Sequence, residues 1–268
     1  MKLFVAATAV LFQFSSVAFS QQALDLVVSD NFKKVNTSRW APQNHTFGCN
    51  ETHFNPMNVQ PLNGSNGLEL KITGNAYGER QMSGAEIKYN EGSTGEKDEK
   101  MFHYGRFSAW IKTAKAPGTV SSFFLYRWSP WQEIDIEFVG NNTRKVQFNV
   151  FYSDDKITNI NPYGEPVQVD VPFDTSEDFH EYTIEWAENE IRWLIDGKEY
   201  HRRYSQDRTP NVPLTLRMNH WVTCQSAADW SGHFDPSVLK DGKEVSAQYK
   251  GIQIWQSDKE QFTSQFEK

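Results

Sequence analysis

Apolar and polar residues alternate in short runs along most of this chain, with turn residues between the runs and no sustained helical period. The alternation predicts strands over 68–72, 85–89, 104–112, 121–126, 133–138, 145–152, 182–186, 191–195, 214–218 and 249–255. Many short strands without a long helix predict an all-β sandwich. Asp196-Gly197, set between the patterned runs 191–195 and 198–200, predicts a two-residue hairpin turn. Residues 91–100 carry no apolar side chain and are expected to form a mobile surface loop.

One predicted strand departs from ordinary surface polarity. In Glu133-Ile134-Asp135-Ile136-Glu137-Phe138 the period of two sends three carboxylates to one face and three apolar side chains to the other. Neighbouring acids in such a row lie roughly 6–7 Å apart, close enough for repulsion to raise the pKa of at least one. A solvated acidic stripe on an outer strand is the plain alternative. Against it stand the flanks, Tyr126, Trp128 and Trp131 before the row and Val139-Gly140 after it, which would partly desolvate the acids. Mixed environments pull carboxyl pKa values apart, so that one acid keeps a proton to donate while its neighbour stays ionised. Glycoside hydrolysis needs that pair. Glu133 and Glu137 have long arms and a curved strand tilts them together, which suits the roughly 5–5.5 Å separation of a retaining mechanism. Asp135, with its shorter arm, is placed to hydrogen-bond Glu133 and tune it.

Composition narrows the partners. The formal net charge of −7 argues against nucleic acid and strongly anionic polysaccharides, leaving a neutral substrate as the better fit. Nine Trp, ten Tyr and nineteen Phe exceed what a core usually requires, and flat sugar faces stack on such rings. The short basic cluster of Lys198 and His201-Arg202-Arg203 reads as a solvated strand end.

The first twenty residues, with Lys2 ahead of an apolar run and Ala18-Phe19-Ser20 as a small-x-small cleavage site, are expected to be a signal peptide. A secreted or periplasmic location follows, with no membrane association after cleavage. Residues 21–268 contain no Pro/Ser/Gly-rich linker and no internal repeat, so one catalytic domain and a monomer are expected. Two cysteines in an exported chain permit a Cys49–Cys224 disulfide; two buried free thiols are the alternative.

Other chemistries lack support. There is no Gly-rich phosphate loop, no His-x-x-x-His or Cys-x-x-Cys pair, and no Gly-x-Ser-x-Gly elbow. No metal site and no catalytic cofactor are expected. His220 lies between Asn219 and Trp221, where a structural role is the ordinary one.

The segment Trp131-Gln132-Glu133-Ile134-Asp135-Ile136-Glu137-Phe138 resembles glycoside hydrolase family 16, in particular lichenase-like members, which carry Glu-x-Asp-x-Glu without an inserted bulge residue. The resemblance implies a β-jelly-roll sandwich of the concanavalin-like kind, with substrate across its concave face. It implies Glu133 as nucleophile, Glu137 as acid/base and Asp135 as auxiliary carboxylate. It extends to substrate-binding roles for Glu86, Trp131, Gln147, Asn149, Asn219 and Trp221.

Three departures bear on specificity. Phe151 stands where lichenases usually have a hydroxyl-bearing aromatic. The usual partner of the cysteine at Cys49 is replaced by Met82-Ser83, so any bridge is rewired to Cys224 and would pin the Trp221 loop. Lys250 matches the aspartate that holds a structural calcium in many members, which counts against calcium here. The implied activity is an endo-β-glycanase cleaving β-1,3-1,4-glucan with retention. The alternatives are a β-1,3-glucanase, a transglycosylase, an exopolysaccharide endo-hydrolase, or a non-catalytic glycan-binding lectin.

Overall fold

The computed structural model describes residues 24–91, 100–154 and 164–256. The expected signal peptide and the interior of the 91–100 loop lie outside the described residues. In chain order the strands begin with β1 (Asp25–Asp30), β2 (Trp40–Pro42), β3 (Thr52–Phe54), β4 (Val59–Pro61), β5 (Leu68–Thr73) and β6 (Met82–Tyr89). The central strands are β7 (Gly105–Lys112), β8 (Thr119–Arg127), β9 (Gln132–Val139), β10 (Lys145–Tyr152) and β11 (Val167–Asp170). The chain ends with β12 (His180–Ala187), β13 (Glu190–Ile195), β14 (Lys198–Tyr204), β15 (Thr215–Val222) and β16 (Glu244–Gln256).

Strand order runs β11-β10-β9-β8-β15-β6-β5-β16-β7-β12-β13-β14. The first six form one sheet and the last six the other, meeting where Thr73 of β5 pairs with Ser83 of β6. This is the expected all-β sandwich with antiparallel jelly-roll packing. All ten predicted strands are present, and Asp196 and Gly197 take φ of 49° and 75°, as the tight hairpin requires.

The core fills the space between the sheets. Ile134, Ile136 and Phe138 of β9 point into it with Phe123 and Leu125 of β8 and Phe148 of β10, against Tyr182, Ile184 and Trp193 of the facing sheet. Two side chains from the facing sheet also hold the backbone under the acid row. Trp193 Nε1 donates to the Asp135 carbonyl at 3.0 Å, and the Tyr249 hydroxyl donates to the Ser122 carbonyl at 2.9 Å. Buried polar groups must be bonded, so these contacts fix the height of β9 and β8 as well as their packing.

The basic cluster on β14 is more engaged than a solvated strand end. Arg202 pairs with Glu190 and Glu199, Arg203 pairs with Glu165, and the His201 ring stacks on Trp193.

Cys49 and Cys224 form a disulfide. Beside it, Cys224 N–H donates to the Cys49 carbonyl at 2.9 Å, and the Phe47 ring meets Trp221 edge-on at 4.9 Å. The bridge therefore pins the segment after Trp221, as the rewired pairing implied. It closes a separation of 175 residues, for which the loss of chain entropy in the unfolded state is worth at most about 5 kcal/mol. The paired change Cys49→Ser with Cys224→Ser is expected to lower Tm by roughly 10 °C, read by calorimetry. A shift under about 2 °C would mean that the Trp221 segment is held without the bridge.

Candidate active site

Strand register builds a polar floor on the concave sheet. Glu133, Asp135 and Glu137 of β9 lie directly opposite Tyr126, Phe124 and Ser122 of β8, and opposite Phe151, Asn149 and Gln147 of β10. The floor continues to Arg217, Asn219 and Trp221 of β15, then to Glu86 and Lys88 of β6. All nine sequence-selected residues therefore fall on one face. Alternation explains this: the residues between them, from Ile134 to Met218, belong to the core.

The three acids are held differently. Glu133 accepts from Trp131 Nε1 at 2.8 Å, and Trp131 in turn stacks on Phe151 with centroids 4.7 Å apart and planes 15° from parallel. Phe151 without a hydroxyl thus braces the indole that donates to Glu133. Asp135 is buried on the same face, and its Oδ2 finds no hydrogen-bond partner among the described residues. Glu137 accepts from Gln147 Nε2 at 2.8 Å, while Gln147 Oε1 accepts from Trp230 Nε1 at 3.0 Å and Gln168 Nε2 at 3.2 Å.

Electrostatics follow from these contacts. Burial, then the charges of Glu133 and Glu137, drive Asp135 well above the usual carboxylate range, so it keeps its proton. Burial pushes Glu137 up to about 7, with Gln147 pulling the other way. Burial, with the charge of Glu137, also pushes Glu133 up to about 8, opposed by the Trp131 donor and by the Arg217 charge. An ionised Glu133 gives the Trp131 N–H an anion to meet.

This raised row costs stability as pH rises. A carboxyl with a folded pKa above its unfolded value binds its proton more tightly when folded, so stability falls between the ordinary value of 4.5 and about 7 for Glu137. Glu137→Gln is expected to remove that slope, gaining on the order of 2 kcal/mol at pH 8 and nothing at pH 4. Urea unfolding at the two pH values checks this; equal gains at both would place the strain elsewhere.

The other selected residues occupy varied settings. Glu86 is on the concave face, but its carboxylate is 3% exposed and enclosed, with Oε1 taken by Arg217 at 2.9 Å and His45 at 3.2 Å and Oε2 by Asn219 at 3.2 Å. Asn149 is tied to the chain beside it, its Oδ1 accepting from Val150 N–H and from Glu165 N–H at 2.8 Å. Trp221 packs with Phe54, Val120, Val139 and Trp230 at one end of the floor. His220 points into the interior, within 3.0 Å of the Val120 carbonyl, the structural role expected for it. Sequence reading missed Arg217, although an arginine inside the apolar run 214–218 was visible as an anomaly.

No group of three or more His, Cys, Asp or Glu suited to a metal occurs among the described residues. Lys250 sets its ammonium over the Phe179 ring at 4.3 Å. No helix among the described residues is long and apolar enough to cross a membrane.

Comparisons agree with this geometry. A β-glucanase of Brevibacillus brevis is 31% identical over 248 residues, covering 87% of this chain and 88% of that protein. The crystal structure of a prokaryotic β-1,3-1,4-glucanase (lichenase) from a mouse hindgut metagenome matches with TM-score 0.70 and 31% identity, over 85% of this chain and 97% of that one. The catalytic domain of an endo-1,3-β-glucanase (laminarinase) from Thermotoga petrophila shares the fold at TM-score 0.71 and 19% identity, over 88% of this chain and 99% of that one. The model of glycosyl hydrolases family 16 matches residues 50–237, a span that holds the whole acid row and the strands on either side of it. The chain belongs to glycosyl hydrolases family 16 and is a glycoside hydrolase.

Proposed function

We propose that this chain is a secreted endo-β-glycanase that hydrolyses β-1,3-1,4-glucan with retention of configuration. The observation that carries the reading is the pair of buried acids on one face of β9, with Glu133 held by the Trp131 indole and Glu137 kept near neutrality by burial. In the first half-reaction Glu137 protonates the glycosidic oxygen as it leaves, and the Glu133 carboxylate attacks the anomeric carbon to form a glycosyl ester. In the second, Glu137 takes a proton from water, the water oxygen attacks that carbon, and Glu133 is released. Asp135 keeps its proton throughout and steadies the Glu133 anion.

Trp131 and Trp221 offer aromatic faces to sugar rings, and Gln147, Asn149 and Asn219 offer polar groups. Glu86 acts by orienting Asn219 and Arg217. The lichenase and β-glucanase names of the relatives at 31% identity support the choice of mixed-linkage glucan. The reading includes cleavage after residue 20, one catalytic domain over 21–268, a monomer, and no nucleic-acid or membrane partner.

Digestion of barley β-glucan, laminarin and xyloglucan tests the substrate. The expected result is new reducing ends from barley glucan far faster than from the other two, with the β anomer first by NMR. Preference for laminarin would make the chain a β-1,3-glucanase. Sugar transfer without net hydrolysis would make it a transglycosylase, and binding without cleavage a lectin.

A further inference from the structure

A positive charge sits beside the acid row that the scheme above does not use. Arg217 of β15 lies on the concave face with its side chain 10% exposed. Its Nη1 donates to Glu86 Oε1 at 2.9 Å, and its guanidinium carbon lies 4.9 Å from the centroid of the Tyr126 ring. Tyr126 is the direct cross-strand partner of Glu133. The guanidinium is thus clamped by a carboxylate on one side and an aromatic face on the other, one side chain away from Glu133. Such a clamp removes the freedom that makes surface arginines weak.

We propose that Arg217 is a positioning residue for hydrolysis, holding Glu133 in its anionic, nucleophilic form through a charge fixed by Glu86 and Tyr126. This rests on the reading of Glu133 as nucleophile. The charge acts on Glu133 against burial and against Glu137. The ionisable groups facing Glu133 are Asp135 and Glu137 on its own strand, Tyr126 on β8 and Arg217 on β15; Phe151, opposite on β10, carries none. Around Arg217 stand Glu86 and Lys88 of β6 and His45. Glu86 therefore has two effects: it anchors the guanidinium and it partly offsets its charge.

The sign is fixed. Removing Arg217 raises the pKa of Glu133, and attack needs the ionised form, so the acidic limb of the rate moves to higher pH. Removing only the Glu86 charge lets Arg217 act more strongly and moves the limb lower.

A 2,4-dinitrophenyl 2-deoxy-2-fluoro-β-glycoside of a gluco-oligosaccharide reads this limb alone. Its phenolate leaves without a proton from Glu137, as a Glu133 oxygen bonds to the anomeric carbon and the glycosyl ester accumulates. The rate of inactivation is measured against pH for wild type, Arg217→Lys, Glu86→Gln, and the double variant Arg217→Met with Glu86→Gln. The double variant avoids stranding a buried carboxylate, and Tm confirms that it is folded. The limb is expected to rise by about half a unit to one unit in the double variant, to rise less in Arg217→Lys, and to fall in Glu86→Gln. A limb unmoved in the folded double variant overturns the role of Arg217. Peptide mapping of the labelled protein separates this failure from the other: label on a carboxylate other than Glu133 overturns the nucleophile reading and the Arg217 proposal with it.

Discussion

Glu133→Ala is expected to lower kcat on mixed-linkage glucan by on the order of 10⁴-fold or more, and sodium azide to restore turnover with an α-glycosyl azide as product. The reasoning starts from the contacts. Glu133 is the acid that receives the Trp131 indole at 2.8 Å, so its carboxylate is aimed and stabilised as an anion. Shortening it to alanine removes the attacking oxygen and leaves a small cavity lined by Trp131, Tyr126 and Asp135. Azide is small, anionic and nucleophilic enough to use that cavity. Glu137, untouched, still protonates the leaving group, so the first step proceeds with azide in place of the carboxylate. A single displacement inverts the anomeric centre, which is why the azide product is α whereas hydrolysis by double displacement returns β. The fold should survive, because the change deletes an acid whose ionisation is opposed by burial. Product stereochemistry by NMR is the deciding measurement. Activity near that of wild type, or a β-azide, would remove Glu133 from the nucleophile role.

Why so much of this site was legible in the sequence, and part of it not, has physical causes. The period of two is strict in β9 because one face meets a packed core, so a slip of one residue would bury the acids and expose Ile134 and Ile136. The same logic made β6, β8 and β10 visible. It failed at β15, predicted to end at Met218 but running to Val222. There His220 is a polar residue at an interior position, fully buried with its Nδ1 3.0 Å from the Val120 carbonyl, and it breaks the apolar alternation that marks a strand. Strands of three or four residues such as β2, β3, β4 and β11 are too short to show a period at all. Pairing between Cys49 and Cys224 is a property of tertiary approach across 175 residues, open to two readings until the chain was folded. Glu86 was recognisable as an acid within a strand, yet nothing local to it announces Arg217, 131 residues later, as the group that covers it.

Glu137→Ala should separate substrates by their leaving groups. On β-glucan, whose leaving sugar hydroxyl needs a proton, kcat/KM is expected to fall by about 10³-fold or more, while on 2,4-dinitrophenyl glycosides it should fall little in the glycosylation step. Geometry sets this expectation. Glu137 is held by a neutral amide, Gln147, rather than by a cation, and burial raises it to about 7, so it still carries its proton at mildly acidic pH. An acid of that pKa loses activity as pH climbs past neutrality, and wild type should show an alkaline limb there. In the alanine variant the limb should vanish for the dinitrophenyl substrate, since no group then has to stay protonated. Deglycosylation, which needs Glu137 as a base toward water, should become the slow step, so a burst of dinitrophenolate is expected ahead of slow turnover. Azide would relieve that second step, since an anion needs no base, and would here give a β-glycosyl azide by two inversions. That product is the opposite anomer to the Glu133→Ala outcome. The two variants together assign the acids by opposite stereochemistry, and an α-azide from Glu137→Ala would exchange the roles of the two glutamates.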